Sequence, residues 1–491
     1  MHYPLLLTLM TQLTLQNVSA NEIEMGKKIV MEGNQNGGLP CLTCHLENGE
    51  GMQEHGFPQL AGLNANYFIK QIKDYQSGLR IHDVMNPIAK ALSDEDIKNV
   101  AAYFSSLPPV PKPEKSPASE KWNEGKWIAE RGLWDRKIPA CFSCHGQGGV
   151  GVGENFPPLI NQGKVYLKNA LQSFQRGTRK NDPQMLMRSI AGKLTKKETD
   201  AVAFYLSSLP DTTSQGAAQW SVSIQTAPVK TQYFQPPQEK DIPDNEFGKL
   251  VRQGRDIFID TQTYAKPYVG NSLNCVNCHL DAGRLPDSAP LWGAYGMYPA
   301  YRAKTKNVDT IENRMQGCFM YSMNGKAPAV DSPEMKALVV YMYWMSTGVP
   351  VGKGLPGRVY PVLKDPPRPP SWEAGQLVFE KNCMVCHGKN GEGQYINGQA
   401  VFPPLWGEKS YNWGAGMHRI NTAAGFIKAN MPLSQGGQLS DQDAWDVAFF
   451  INSHERPKDP RRTGTLEEAA KKYHDENCSY GKEIHGVKLG L

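Results

Sequence analysis

Apolar residues recur along this chain in short blocks at helical spacing. Ile97, Val100, Ala101 and Phe104 stand at i, i+3, i+4 and i+7, a stripe that a helix would turn toward a core. Ser93 with Asp96, Thr195 with Glu198, and Ser440 with Asp443 have capping-box spacing ahead of such blocks. Ser332 precedes Pro333, which suits a first helical position. The block returns four times, so the chain reads as an internal repeat. Each unit opens on a helical stretch with a glycine near an aliphatic or aromatic pair: Gly26 to Val30, Gly132 to Trp134, Gly254 to Phe258 and Gly375 to Phe379. Each then passes a proline step: Pro58-Gln59-Leu60, Pro157-Pro158-Leu159, Pro290-Leu291 and Pro403-Pro404-Leu405. The pattern predicts an all-α chain.

Proline and polar runs mark the joints. Residues 107–119 hold Pro108, Pro109, Pro111, Pro113 and Pro117, a stiff spacer. A longer stretch, 209–245, is rich in Ser, Thr and Gln, and 349–370 is rich in Pro and Gly. The expected domains are 21–107, 120–210, 245–348 and 371–455, arranged as two pairs, with a 211–244 linker and a 456–491 tail. No run of 18 or more apolar residues occurs, so no helix is expected to span a bilayer. Leu5 to Leu15, followed by Val18-Ser19-Ala20, reads as a signal peptide over 1–20, although no Lys or Arg precedes it. The formal charge of +5 gives no reason to expect nucleic acid.

The chemistry lies in four copies of Cys-x-x-Cys-His: Cys41/Cys44/His45, Cys141/Cys144/His145, Cys275/Cys278/His279 and Cys383/Cys386/His387. This is the c-type haem signature, two thioether-forming thiols and an adjacent imidazole for the iron. It absorbs eight of the ten cysteines. Zinc or dithiol chemistry would not explain a histidine after every second cysteine, and zinc needs four convergent ligands. Four covalently bound c-type haems are therefore expected, and their propionates bring the holoprotein near neutral charge.

A haem iron takes a further ligand on its far side. Met85 lies 40 residues after His45, Met187 lies 42 after His145, and Met431 lies 44 after His387. In the first two units Ile-Ala follows three residues on, Ile88-Ala89 and Ile190-Ala191, a register that selects Met187 over Met185. The third unit has Cys318 39 residues after His279, with Met320 and Met323 within reach of the same slot. Spacing alone does not choose among these three, and Cys318 with Cys478 would also suit a disulfide in an oxidising compartment.

The repeat resembles the cytochrome c fold, a small helical domain around one haem, over residues from about 21 to 455. That resemblance implies maturation outside the cytoplasmic membrane, hence the periplasm. It also implies that the proline step supplies a carbonyl to the second nitrogen of each haem histidine. Residues 21–210 resemble the dihaem cytochrome c4 electron carriers.

Residues 245–455 resemble the dihaem thiosulfate dehydrogenases, through the segment Asn313 to Lys326 and through Trp292 and Trp406 after the proline steps. This resemblance implies coupling of two thiosulfates to tetrathionate, reversible in principle, with electrons passed to the fused carrier and then to a periplasmic acceptor. It makes Cys318 the distal ligand of the third haem. Met431 or Lys428 would serve the fourth, Met431 being favoured because Asn430 stands where relatives carry a ligating lysine.

Two dianions need cationic partners, and Arg302, Lys304, Lys306, Arg314 and Lys326 stand near Cys318 against Asp309 and Glu312. The expected catalytic set is Cys318, Arg314, Arg302, Ser322 and Lys326, with Arg302 and Lys304 both open as the second clamp. Two other readings fit the same residues. One is a pure tetrahaem electron carrier; the other is a sulfur-oxidising cytochrome that conjugates thiosulfate to a carrier cysteine. Cys478 has no assigned role at this level.

Overall fold

A computed structural model describes residues 19–111, 119–209 and 232–491. The apolar stretch expected to be a signal peptide, Pro113 and Pro117 of the first spacer, and 210–231 of the second linker lie outside these residues.

Each repeat is built on an opening and a closing helix that cross at a glycine. Gly26, in Ala20–Glu32, faces Asp94–Ser106 so closely that a Cβ would lie 2.0 Å from the Asn99 carbonyl oxygen. Gly254, in Glu246–Ile259, faces the Ala337 carbonyl of Pro333–Met345 at 2.0 Å, and Gly375, in Trp372–Asn382, faces the Asp446 carbonyl of Asp441–Ile451 at 2.1 Å. Backbone touches backbone, so no side chain fits.

In the second repeat the crossing residue is Gly125, in Glu120–Glu130, 2.1 Å by the same measure from the Ala201 carbonyl of Lys196–Ser207. Gly132, expected there from the sequence, instead lies past the helix end at φ +81°, ahead of a short 3₁₀ turn at Trp134–Arg136. Three and four residues after Gly125 come Ile128 and Ala129, where the other repeats carry two large apolar residues. The small Ala129 erased the signal.

The closing helices start as their caps predict. Ser93 with Asp96 and Thr195 with Glu198 form reciprocal capping boxes. Ser440 accepts from the Asp443 N–H, and Ser332 accepts from Met335 N–H with Pro333 at the first position. Ile97, Val100, Ala101 and Phe104 are all buried in the first repeat's core. Each repeat has a core of its own, and the tail forms another from Leu466, Ala469, Cys478, Tyr480 and Leu489 around Trp413.

Three two-stranded antiparallel hairpins interrupt the helices, at Ala300–Arg302 with Asn307–Asp309, Gln394–Ile396 with Gln399–Phe402, and Glu483–Ile484 with Val487–Lys488. Strands this short leave no alternating pattern to read. Among the described residues, no helix is long and apolar enough to cross a membrane.

The chain divides into two compact units, Met1–Pro111 with Asn161–Tyr166, and Lys112–Ile160 with Leu167–Leu491. Within the first, Gln59 N–H donates to Gln162 Oε1 (3.1 Å) and Gln162 Nε2 donates back to the Gln59 carbonyl (3.0 Å). Gln53 Nε2 reaches the Asn161 carbonyl at 3.2 Å.

Within the second unit, residues 232–244, in the stretch expected to be a linker, pack against the third repeat. Phe234 lies on Trp292, Ile242 is buried, and Glu239 pairs with Arg131 (2.5 Å) and Arg255 (3.1 Å). One carboxylate thus joins the second and third repeats.

Candidate functional site

The four Cys-x-x-Cys-His motifs each fold into one tight turn: Leu42–His45, Phe142–His145 and Met384–His387 are short helices, and Cys275–Asn277 is a 3₁₀ turn. Both thiols and the imidazole of a motif therefore share one turn. Each histidine Nδ1 donates to a carbonyl: His45 to Pro58 (3.0 Å), His145 to Pro157 (2.7 Å), His279 to Ala289 (2.7 Å) and His387 to Pro403 (2.8 Å). In the third repeat the acceptor is Ala289, one residue ahead of the expected Pro290. In every repeat it stands two residues before a leucine.

A carbonyl can only accept, so Nδ1 carries the proton and Nε2 keeps its lone pair for a metal. Burial holds all four imidazoles below their ordinary pKa, with His279 lowered to about 4. They are neutral and ready to ligate at physiological pH.

Beside these turns, within the second unit, lies a cavity of about 990 Å³. Its walls include Cys144, Cys278, Cys386, His387 and Met431. Paired thiols, a neutral Nε2 and an apolar cavity are what a covalently attached haem c requires, and the residues fit that group.

The methionine positions differ in their surroundings. Met85 begins Met85–Lys90 and packs on the first core. Met187 is half-buried in Leu186–Ala191, while Met185 is 54% exposed. Met431 follows Ile420–Asn430 and lines the cavity. Lys428 turns away from it: its ammonium donates to the Leu439 carbonyl (2.6 Å) and pairs with Asp441 (2.9 Å). Asn430 Nδ2 donates to the Asp287 carbonyl at 3.1 Å, tying the fourth repeat to the third.

Around Cys318 the helix Ile311–Gly317, capped by Thr310 with Asn313, widens into a π-helical turn at Cys318–Ser322. Such turns displace one side chain from the helical ladder. Arg314, one turn earlier, donates from Nη1 to Cys318 Sγ at 2.8 Å. Met315, Phe319 and Met323 are buried in the core, so of the slot candidates Met323 is committed to packing (3% exposed). Met320 offers its carbonyl to Asn412 Nδ2 at 2.9 Å.

Cationic groups gather here, though not all those expected. Arg302 pairs with Asp309 at 3.2 Å. Lys304 lies on an exposed loop, yet its ammonium is packed over the Tyr321 ring (4.1 Å) and donates to the Gly414 carbonyl. Burial of that tip, with Arg461, Arg314 and Arg302 nearby, holds it down at about 7, and Cys318 acts in the opposite sense. Lys326 is exposed, its backbone N–H bound to the Tyr268 carbonyl, and the Ser322 carbonyl takes Asn271 Nδ2.

Arg461 was not visible from the sequence. It comes from the tail, holds Asp459 with two nitrogens, and sits over Tyr321 at 5.3 Å. Cys318 and Cys478 are both free thiols, so the disulfide reading is not realised.

Comparisons agree with this division of labour. Residues 261–351 match the SoxA/TsdA cytochrome c domain, and 23–108, 129–210 and 372–455 match cytochrome c. A thiosulfate dehydrogenase of Stutzerimonas stutzeri (strain A1501) is 57% identical over 261 residues, 52% of this chain and 85% of that one. The thiosulfate dehydrogenase electron acceptor of the same organism is 41% identical over 209 residues, 42% of this chain and 95% of that one. The "as isolated" structure of thiosulfate dehydrogenase (TsdBA) from Marichromatium purpuratum is 40% identical, covers 96% of this chain and 99% of its own, and superposes with a TM-score of 0.88.

Proposed function

The chain belongs to the thiosulfate dehydrogenase family, and on that premise we propose that it joins two thiosulfates into tetrathionate at Cys318. The observation that carries this reading is the 2.8 Å contact between the Arg314 guanidinium and Cys318 Sγ. A guanidinium at that distance stabilises the thiolate, the reactive form of cysteine.

The sulfur chemistry balances in two steps. The Cys318 thiolate and one thiosulfate form a sulfur–sulfur bond and release two electrons. The outer sulfur of a second thiosulfate then attacks the bound thiosulfate's sulfane sulfur, and the Cys318 thiolate leaves as in disulfide exchange. Tetrathionate departs, and no proton is needed. Haem c, bound at each of the four motifs, supplies one-electron acceptors.

Arg314 and Lys304, with Arg302 and Arg461 behind them, offset the repulsion between the two dianions. Arginine forks match sulfonate oxygens much as they match phosphate. Ser322 and Lys326 stand at the edge of this cluster as further donors. Met85, Met187 and Met431 serve as distal ligands in their repeats and Cys318 in the third. The part of the chain similar to the electron acceptor receives the electrons and hands them to a partner in the periplasm.

The test supplies thiosulfate and ferricyanide to the full-length holoprotein and quantifies tetrathionate. Cys318→Met should keep four haems yet form no product, because a thioether cannot make the sulfur adduct. Undiminished turnover in that variant would overturn the reading.

A further inference from the structure

The tail returns to the fourth repeat through a side-chain cluster that electron transfer does not use. His418, His474 and Cys478 place one ligand atom each within 4.8 Å of one another. His474 Nδ1 lies 3.2 Å from His418 Nε2 and 3.3 Å from Cys478 Sγ. The whole group is buried: His418 is 5% exposed, Cys478 1%, and the His474 side chain 2%.

The outer atoms fix which nitrogens carry protons. His418 Nδ1 is bound to the Ala415 carbonyl, which can only accept, so its Nε2 presents a lone pair inward. His474 Nε2 faces Asp459 Oδ2 at 3.0 Å, so its Nδ1 also presents a lone pair inward. Asp459 is fully buried and held by Arg461. The Tyr480 N–H donates to Cys478 Sγ at 3.3 Å, and the Tyr480 ring stacks on His474 at 3.9 Å. Two neutral imidazoles thus point lone pairs at each other across 3.2 Å beside a thiol. That arrangement repels itself unless a cation sits between.

We propose that His418 Nε2, His474 Nδ1 and Cys478 Sγ bind one borderline-soft transition-metal ion, zinc or copper. A tetrahedral zinc with nitrogen ligands at about 2.0–2.1 Å and sulfur at about 2.3 Å sets N···N edges near ~3.3 Å and N···S edges near ~3.6 Å. The observed 3.2 and 3.3 Å need only small outward movement. Both histidines carry the outer-shell partner typical of metal ligands, one carbonyl and one carboxylate. Cys478, whose thiol is pushed up to about 11 by burial, would give up its proton to the ion.

The site staples the tail to the loop at 412–418. That loop holds the Lys304 ammonium through the Gly414 carbonyl and the Met320 carbonyl through Asn412. Its occupancy therefore supports the wall beside Cys318 without touching substrate.

The experiment measures metals in the full-length holoprotein after dialysis with one equivalent of a zinc salt and, separately, of a copper(I) salt. One ion per chain beyond the haem iron is expected, retained on gel filtration. Cys478→Ser and His418→Gln should lose at least ten-fold of it while keeping their haem iron. X-ray absorption at the zinc and copper edges, blind to haem, then reads which ion is bound and should show one sulfur and two nitrogens on the wild-type chain. The ligand count on wild type does not depend on any variant folding. No retained ion, or the same ion held equally by Cys478→Ser, would overturn the proposal and leave a protonated His474 bridging the cluster.

Discussion

Phe156 of the second repeat lies 4.8 Å, centroid to centroid, from Phe402 of the fourth, their planes tilted by 41°. Ile396 comes against Gly146, the residue after His145, and Cys144 is close enough to raise the thiol pKa of Cys386. The second and fourth motifs therefore share an apolar wall, which gives the fourth repeat its nearest exit through the second. Phe402→Ala should cost about 3–5 kcal/mol by cavity formation, read as a fall in chemical-denaturation stability. Stopped-flow mixing with thiosulfate should also show slower reduction of the second haem relative to the fourth.

Arg314→Ala removes the donor to Cys318 Sγ. A hydrogen bond to a charged group is worth about 1.5–3 kcal/mol, so kcat/KM for thiosulfate should fall by roughly ten- to a hundred-fold. Arg314→Lys keeps the charge but not the fork, and should recover only part of that loss in steady-state assays.

Lys304 titrates at about 7, well below a free lysine. Its charge is present below that pH and lost above it, so KM for thiosulfate should rise as pH climbs through neutrality. Lys304→Arg stays charged and should flatten the profile. The linkage to folding has the opposite sense. Between pH 7 and the ordinary lysine range the unfolded chain binds the extra proton, so this group's contribution to stability grows as pH rises.

Met431 lines the cavity whereas Lys428 is engaged with Leu439 and Asp441. Met431→His should lower the potential of the fourth haem, and about 59 mV is a tenfold shift in a one-electron equilibrium. Lys428→Ala should leave that potential where it was in a redox titration. A reversed pattern would place Lys428 on the iron.

Glu239 is buried between Arg131 and Arg255. Glu239→Ala takes their shared carboxylate from both guanidiniums and should destabilise the chain by about 3–5 kcal/mol. Thermal unfolding followed in the far ultraviolet checks this, and Glu239→Gln, which keeps hydrogen bonds but not charge, should fall between.

What the sequence disclosed was local. The haem turns, the capping pairs and the Arg314–Cys318 pair all lie within a few residues of one another, where spacing implies contact. Gly125 was hidden because Ala129 follows it in place of a large side chain. The His279 acceptor was displaced by one residue because a backbone carbonyl has no residue signature. Lys304, Arg461 and the His418–His474–Cys478 cluster were illegible because the tail carries their partners across long separations.

The exchange between Gln59 and Gln162 has a consequence for biosynthesis. A chain emerging from its N-terminus presents the motifs at Cys41 and Cys141 before residue 162 appears. The first unit therefore remains open beside the carbonyl that orients His45 until the second motif is already out. Thioether formation at Cys41 and Cys44 thus has a time window that the chain itself closes, set by where along its length residue 162 falls.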